Sequence, residues 1–287
     1  MAKIRKVSAI YGFGDALNAR SFLVEYCKQK CIDPGKIYIY TNKYWWLFKD
    51  LGFSRSVNDK EFKNLTPFNN FGLYDMPKVY KIAKLDDCIA KNAGIDYSFD
   101  TITPFPEFPP VKISLPNRYI TINTGYGEFS GKAGNNDYVC TKSWPIPYWE
   151  RLVELLGVPC VQIGAGKSCN HVKGTLNLID KTTIQETATI LRGSLFHIDI
   201  EGGLPIFKQH LGGKSVVLFG PTAIENQGRS FNLNLCANTC QPCYEWGTHK
   251  YPLCVRKDKL LCNAHCMTDL KPEYVAEKIF HSKWLTK

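Results

Sequence analysis

The sequence predicts an α/β protein built from two doubly wound halves and closed by a cysteine-rich, metal-binding module. Three observations carry that prediction. Short apolar strands alternate with helical stretches from residue 118 to residue 222, the pattern of a parallel sheet with crossover helices. Residues 103–116 carry five prolines, which suits an extended crossing between halves rather than a regular element. Six of the twelve cysteines crowd between Cys236 and Cys266. The expected domains are therefore 1–110, 118–235 and 236–287.

In the first half, residues 4–11 (IRKVSAIY) form a strand that leads into the turn Gly12-Phe13-Gly14-Asp15. Residues 16–30 follow as a helix, with Leu17, Phe22, Leu23, Tyr26 and Cys27 at helical spacing. Residues 36–41 (KIYIYT) alternate as a second strand. The run Tyr44-Trp45-Trp46-Leu47-Phe48 predicts a short apolar helix over 42–51, ended by Gly52. Farther on, 71–74 and 97–103 read as strands and 77–94 as a helix.

The second half opens with a strand at 119–124 (YITINT), followed by a loop rich in glycine and asparagine over 125–140. A helix is expected over 147–156, a strand over 158–164 ending in Gly164-Ala165-Gly166, and a helix over 183–191. Next come strands 195–200 and 215–219, joined by a glycine turn and about two turns of helix. Both read as buried on two faces, since Ser215-Val216-Val217-Leu218-Phe219 is nearly continuous apolar sequence. Each runs directly into a turn of small residues, Glu201-Gly202-Gly203 after the first and Gly220-Pro221-Thr222 after the second. In an open parallel sheet, ligands bind beyond the carboxyl ends of the strands. Glycine lets the main chain approach a ligand closely, and the N–H groups at a helix start suit a phosphate. Ordinary βα turns share this local pattern, so the pair marks a candidate site only. A final helix is expected over 272–280.

Composition narrows the function classes. With 44% hydrophobic and 22% charged residues the chain has an ordinary globular make-up. No stretch approaches the ~20 apolar residues of a membrane span. The basic N-terminus lacks an apolar run and a cleavage site, so no signal peptide is expected and the expected compartment is the cytoplasm. A net charge of +10, from 36 Lys+Arg against 26 Asp+Glu, favours anionic partners. The basic residues are scattered in runs of no more than two, which weakens a nucleic-acid reading.

Six motifs in order then carry a resemblance. They are Gly12-Phe13-Gly14-Asp15, Lys142-Ser143-Trp144-Pro145, Val161-Gln162-Ile163-Gly164, the stretch 196–204 (FHIDIEGGL), the stretch 217–222 (VLFGPT), and the closing Cys240-Gln241-Pro242-Cys243, Cys262 and Cys266. Together they resemble the heptosyltransferase-like glycosyltransferases of family 9, whose GT-B architecture pairs two Rossmann-like halves. The match is strongest over 118–280, and before that it rests on the first glycine turn alone.

The resemblance implies a nucleotide-diphosphate-sugar donor on the C-terminal half. It implies an acceptor hydroxyl, of lipopolysaccharide core, protein or a modified DNA base, on the N-terminal half, and inversion at the sugar. It puts Asp15 where a general base takes the proton of a poor hydroxyl nucleophile as the new C–O bond forms. Lys142 matches the basic residue that neutralises the leaving diphosphate, with no catalytic metal expected. Glu201, Gly202 and Gly203 match the loop that meets the donor sugar and phosphate, and Gly14, Gly164 and Thr222 complete the donor set. A histidine common shortly after that loop is replaced here by Pro205-Ile206, which leaves the donor sugar open.

Plainer roles exist for the same residues. Asp15 suits the N-cap of the helix 16–30, Lys142 a solvated loop, and His197 a satisfied core position. The cysteines are an independent signal. Thiolates in short x2 and x3 pairs build tetrahedral sites for zinc or for iron held by sulfur. Cys240, Cys243, Cys262 and Cys266 are the expected ligands of a structural ion, with Cys236, Cys254, His249 and His265 in reserve. The competing readings are a zinc-ribbon-like nucleic-acid-binding protein and a non-catalytic nucleotide-sugar-binding protein.

Overall fold

The computed structural model describes residues 6–8, 12–41, 43–57, 85–126, 142–237, 239 and 265–285. The chain divides into two compact units, Met1–Thr103 and Pro104–Lys287. The strand expected at 71–74, and the first part of the helix expected at 77–94, lie outside the described residues. So does nearly all of the loop at 125–140.

The first unit holds a parallel sheet in the order β1 (Lys6–Ser8), β2 (Tyr38–Tyr40) and β3 (Ser54–Ser56). Helix α1 (Phe13–Lys30) connects β1 to β2 and is buried almost all round from Ala16 to Leu23. It ends on Cys31, which takes a left-handed φ of 52° so that Ile32 N–H reaches back to the Cys27 carbonyl at 2.9 Å. Arg20 of α1 is fully buried. Its guanidinium meets both Asp50 oxygens at 2.7 Å and also donates to the carbonyls of Leu47 and, at 3.2 Å, Thr103. One side chain thereby ties the helix to the segments on either side of it.

Two expectations fail here. The helix over 42–51 is a single 3-10 turn, Trp45–Leu47. Its aromatic rings fill space beside α1 in place of a longer ladder, with Phe13 6.0 Å from Tyr44 and 6.2 Å from Trp46. Residues 97–103 form no strand. Tyr97 packs edge-on against Phe22 at 5.3 Å, and Phe99 N–H is taken by the Asp86 carboxylate at 2.8 Å. Asp86 sits on α2 (Leu85–Ala93), so alternate burial arises there without a sheet partner.

The second unit is built on six strands: β4 (Ile120–Ile122), β5 (Cys160–Gln162), β6 (Leu176–Asn177), β7 (His197–Ile200), β8 (Ser215–Phe219) and β9 (Leu233–Cys236). All neighbours are parallel, in the order β6-β5-β4-β7-β8-β9. This is the doubly wound arrangement predicted for this half, with the winding direction reversing between β4 and β7. The period of two divides the side chains. Ile120, Ile122, Ile198, Ile200, Val216, Leu218 and Leu235 join one core with α3 (Ile146–Leu156) and α8 (Pro272–His281). The edge-to-face pair Trp144–Trp149, 5.0 Å apart, belongs to this core. Trp144 Nε1 donates to the Leu270 carbonyl at 2.8 Å, fixing the segment before α8.

The alternate side chains Thr121, His197, Asp199, Ser215, Val217 and Phe219 are buried as well. On their side lie α4 (Ile184–Gly193) and α5 (Gly203–His210), which contact each other. Helix α4 starts where its sequence says it should, on a capping box. Thr183 accepts from Glu186 N–H at 3.2 Å, and Glu186 accepts from Thr183 N–H at 2.8 Å. A short α6 (Ile224–Gln227) and α7 (His265–Thr268) complete the unit. Among the described residues no helix is long and apolar enough to cross a membrane.

Candidate functional site

Where a doubly wound sheet reverses direction, the chain leaves neighbouring strands to opposite faces and opens a crevice outside their carboxyl ends. Here the crevice lies beyond β4 and β7. Four exits surround it: Asn123-Thr124-Gly125 after β4, Ile163-Gly164 after β5, Glu201-Gly202-Gly203 after β7, and Gly220-Pro221-Thr222 after β8.

Three of the residues picked from sequence meet on one atom. Glu201 Oε2 is paired with Lys142 Nζ and accepts from Thr222 Oγ1 at 3.2 Å. Lys142 Nζ also lies 3.4 Å from the Glu201 carbonyl. The lysine and glutamate side chains are 18% and 19% exposed, so the pair is mostly shielded yet open on one side. A small cleft continues from Glu201 and Gly202 past Pro205 and Phe219 to Arg229. A cation, a hydroxyl and the first N–H groups of α5 together suit a polyanion. The carboxylate suits neutral hydroxyl donors.

The glycines divide by cause. Gly202, the N-cap of α5, has an extended φ of 179°, and a Cβ there would meet only the Ile200 carbonyl, at an ordinary 3.7 Å. Neither backbone nor packing demands glycine at 202, which leaves open space over the helix start. Gly164 is the reverse case. Its φ is 137°, and a Cβ would stand 2.5 Å from Asn123 Oδ1 and 2.7 Å from Cys169 Sγ. There the protein's own atoms fill the space.

Gly14 and Asp15 belong to the first unit. Helix α1 starts at Phe13 on the cap Gly12, three residues before the expected start. Asp15 therefore sits inside the first turn and is not the N-cap. Its carboxylate folds back toward the cap, where a Cβ on Gly12 would lie 3.3 Å from Oδ2. Negative charge is favourable at that end of a helix.

Of the expected metal ligands, Cys240, Cys243 and Cys262 lie outside the described residues, as do Cys254 and His249. Cys266 is buried at the start of α7, and Cys236 ends β9. Among the described residues no group of three His, Cys, Asp or Glu is placed to hold an ion.

Behind the crevice lies a buried polar cluster in which His197 is the satisfied core residue expected from sequence, while its partners Asp199, Asn123 and Gln162 were not singled out. Asp199 Oδ1 accepts from Asn123 Nδ2 at 3.0 Å and Ile200 N–H at 2.7 Å, and Oδ2 lies 3.3 Å from His197 Nε2. Burial pushes the Asp199 carboxyl above the usual carboxylate range, opposed by His197 and Asn123. On β5, Gln162 donates to the Asn170 carbonyl at 2.7 Å and accepts from Val172 N–H at 2.8 Å, folding 164–172 back over the strand. The available signal was a charged residue inside a four-residue strand otherwise read as core.

Neither a protein-family model nor a curated protein matches the sequence. Solved structures do. The chain superimposes on the iron-containing dodecameric glycosyltransferase TibC from enterotoxigenic E. coli H10407 with a TM-score of 0.71 and 14% identity. That match covers 99% of this chain and 78% of TibC. A glycosyl transferase of family 9 from Veillonella parvula DSM 2008 gives 0.59 and 11%, covering 98% and 97%. The E. coli ADP-heptose lipopolysaccharide heptosyltransferase II gives 0.57 and 12%, covering 99% of both chains. At these identities the likeness establishes the fold, which is that of the heptosyltransferase-like glycosyltransferases.

Proposed function

We propose that the chain is a glycosyltransferase that takes its sugar from a nucleotide-diphosphate-sugar bound at the reversal point of the C-terminal sheet. The observation that carries this reading is the meeting of Lys142, Glu201 and Thr222 at the carboxyl ends of β7 and β8. It is supported by a fold otherwise found in heptosyltransferases, among them TibC in complex with ADP-D-β-D-heptose.

In this reading Lys142 turns from Glu201 to the diphosphate, and the first N–H groups of α5 share its charge as it leaves. Glu201, released from the lysine, accepts sugar hydroxyls, while Thr222 donates to phosphate. Gly202 and Gly203 let the donor lie against the main chain, with Gly164 at the exit of β5 and Gly14 on the first unit as the remaining glycines of the donor set. Asp15 takes the proton of the acceptor hydroxyl as its oxygen bonds to the anomeric carbon opposite the departing nucleoside diphosphate, whose C–O bond breaks, and this single displacement inverts that carbon. The acceptor is a hydroxyl of a glycan, a protein or a modified DNA base.

We also propose that Cys240, Cys243, Cys262 and Cys266 hold a structural zinc or iron. Four thiolates are the donor set a closed tetrahedral site requires, and they leave no open position for catalysis. Cys266 would join such an ion to the core of the sheet. Protein purified without chelator should carry about one equivalent of metal, and elemental analysis showing neither zinc nor iron would return these cysteines to packing.

The enzyme reading is tested with a panel of ADP-, UDP- and GDP-sugars. One of them, at 100 times its dissociation constant, should stabilise the protein by about 2.7 kcal/mol and release free nucleotide on turnover with acceptor. A panel that neither stabilises the protein nor is consumed overturns it.

A further inference from the structure

We infer that Asn123 is a positioning residue of the donor site: Asp199, itself held by His197, fixes the Asn123 amide, and the amide sets the turn at Gly125 where β4 opens into the crevice. The inference rests on the donor reading above, and names residues outside its contact set.

The hydrogen bonds leave little freedom. His197 Nδ1 faces the Thr121 carbonyl at 3.2 Å and Thr121 Oγ1 at 3.1 Å. A carbonyl only accepts, so Nδ1 carries a hydrogen and Nε2 shares a single proton with Asp199 Oδ2. Asp199 Oδ1 receives two N–H donors, from Asn123 and Ile200, and acts as an acceptor. That fixes which end of the Asn123 amide faces inward. Its Nδ2 points to Asp199 and, at 3.0 Å, to the Gly125 carbonyl, while its Oδ1 accepts from Gly125 N–H at 3.1 Å and Cys169 Sγ at 3.5 Å. Both main-chain groups of Gly125 are therefore held by one side chain.

The same Oδ1 stands where a Cβ at Gly164 would go, so the exits of β4 and β5 share this amide. Behind it the chain continues inward. Thr121 Oγ1 donates to Ser194 Oγ at 3.2 Å, which Lys208 Nζ also reaches at 3.0 Å. His197 and Asp199 are 0% and 2% exposed. Apolar side chains at both positions would fill this core without the desolvation cost of an ionisable pair. What the pair adds is a fixed orientation for Asn123.

The substitutions Asp199→Asn, Asp199→Leu and Asn123→Ala test it. Asparagine at 199 keeps every bond: its oxygen accepts from Asn123 and Ile200, and its amide donates to His197 Nε2. Leucine removes them, and Asn123→Ala, at the end of the strand, keeps the inference testable should the leucine variant fail to fold. Two readouts are needed. Amide exchange at Gly125 should stay slow in wild type and Asp199→Asn and speed up in the other two; equal protection in all four overturns the inference. Binding of ADP, followed by calorimetry, should weaken by about tenfold or more in Asp199→Leu and Asn123→Ala and stay near wild type in Asp199→Asn. Unchanged affinity throughout overturns the positioning role. A wild-type protein that binds no ADP and no nucleotide sugar overturns the donor reading instead, and the exchange result then decides alone whether Asp199 sets the turn.

Discussion

Both units bury charge, and they put it to different use. In the first unit Arg20 gives its N–H groups to Asp50, Leu47 and Thr103, closing the unit's own segments around α1. In the second, Lys208, Ser194, Thr121, His197, Asp199 and Asn123 form one line of hydrogen bonds across the sheet to its carboxyl edge. The first arrangement is a clamp that begins and ends in structure. The second ends at a crevice. Buried charge therefore marks a site only when its hydrogen bonds lead to one.

Four experiments sharpen or break that contrast. The largest effect is expected at Asp15. Asp15→Asn should lower turnover by about 10² to 10⁴-fold while leaving ADP affinity unchanged, because a general base acts on the acceptor and not on the diphosphate. Steady-state rates with calorimetry decide; a variant retaining a tenth of the rate makes Asp15 a favourable charge at a helix start and nothing more.

Next is the clamp. Arg20→Met should destabilise the protein by about 3 kcal/mol in urea unfolding, the usual cost of removing one partner of a buried pair. ADP affinity should hold. A matching loss of affinity would erase the distinction between the units.

Third, Lys142→Ala should weaken ADP binding by about 2 kcal/mol, the range of a charge-assisted hydrogen bond. Part of that loss comes from Glu201, left facing the phosphates without its partner. Calorimetry at two salt concentrations should show a shallower salt dependence in the variant.

The smallest effect is one of pH. Burial pulls the Lys208 ammonium down to about 8 from an ordinary 10.5. Above pH 8 the folded protein gives up a proton that the unfolded chain still holds, so stability rises with pH. Cys27 and Cys160 act in the opposite sense. Burial raises their thiols to about 11 and about 12 from 9.0, so the unfolded chain ionises first and stability falls above pH 9. Between pH 8 and 9 Lys208 contributes a gain of about 1 kcal/mol and the two thiols a loss of about 0.7, so wild type should rise by only a few tenths and then decline. In Lys208→Met the rise should vanish and the decline remain, as urea unfolding across pH 7 to 10 will show.

What the sequence disclosed follows from these forces. Strand β8 was legible because burial on both faces leaves a nearly continuous apolar run, β7 because Leu195, Phe196, Ile198 and Ile200 mark it, and the turns after them because glycine, proline and threonine follow. Strand β6 was not legible: Leu176–Asn177 is two residues long, held by register with β5 and by no pattern of its own. Strand β9 carries the alternation Leu233-Asn234-Leu235-Cys236, but inside an asparagine-rich stretch that reads as loop. Residues 97–103 misled for the converse reason, since Tyr97 and Phe99 alternate inward against α1 and α2 without a ladder. In the site, Lys142, Glu201 and Thr222 were each visible as residues, but their convergence on one oxygen depends on the order of the strands. Asn123 was invisible, because its importance lies in what Asp199 and His197 do to it from a neighbouring strand.

The place of β4 has a consequence for how the protein is made. It is the earliest of its sheet's strands in the chain, yet it lies in the interior with β5 on one side and β7 on the other. During synthesis β5 emerges soon after it, but β7 follows only once the chain has passed Ile200. Until then β4 carries an apolar edge of unpaired N–H and C=O groups, a template for association with other chains. Parallel neighbours this distant in sequence also fold slowly. A nascent chain halted just before His197 should aggregate or stay bound to a chaperone, and release should come only with growth through β7, β8 and β9, which completes the sheet on that side.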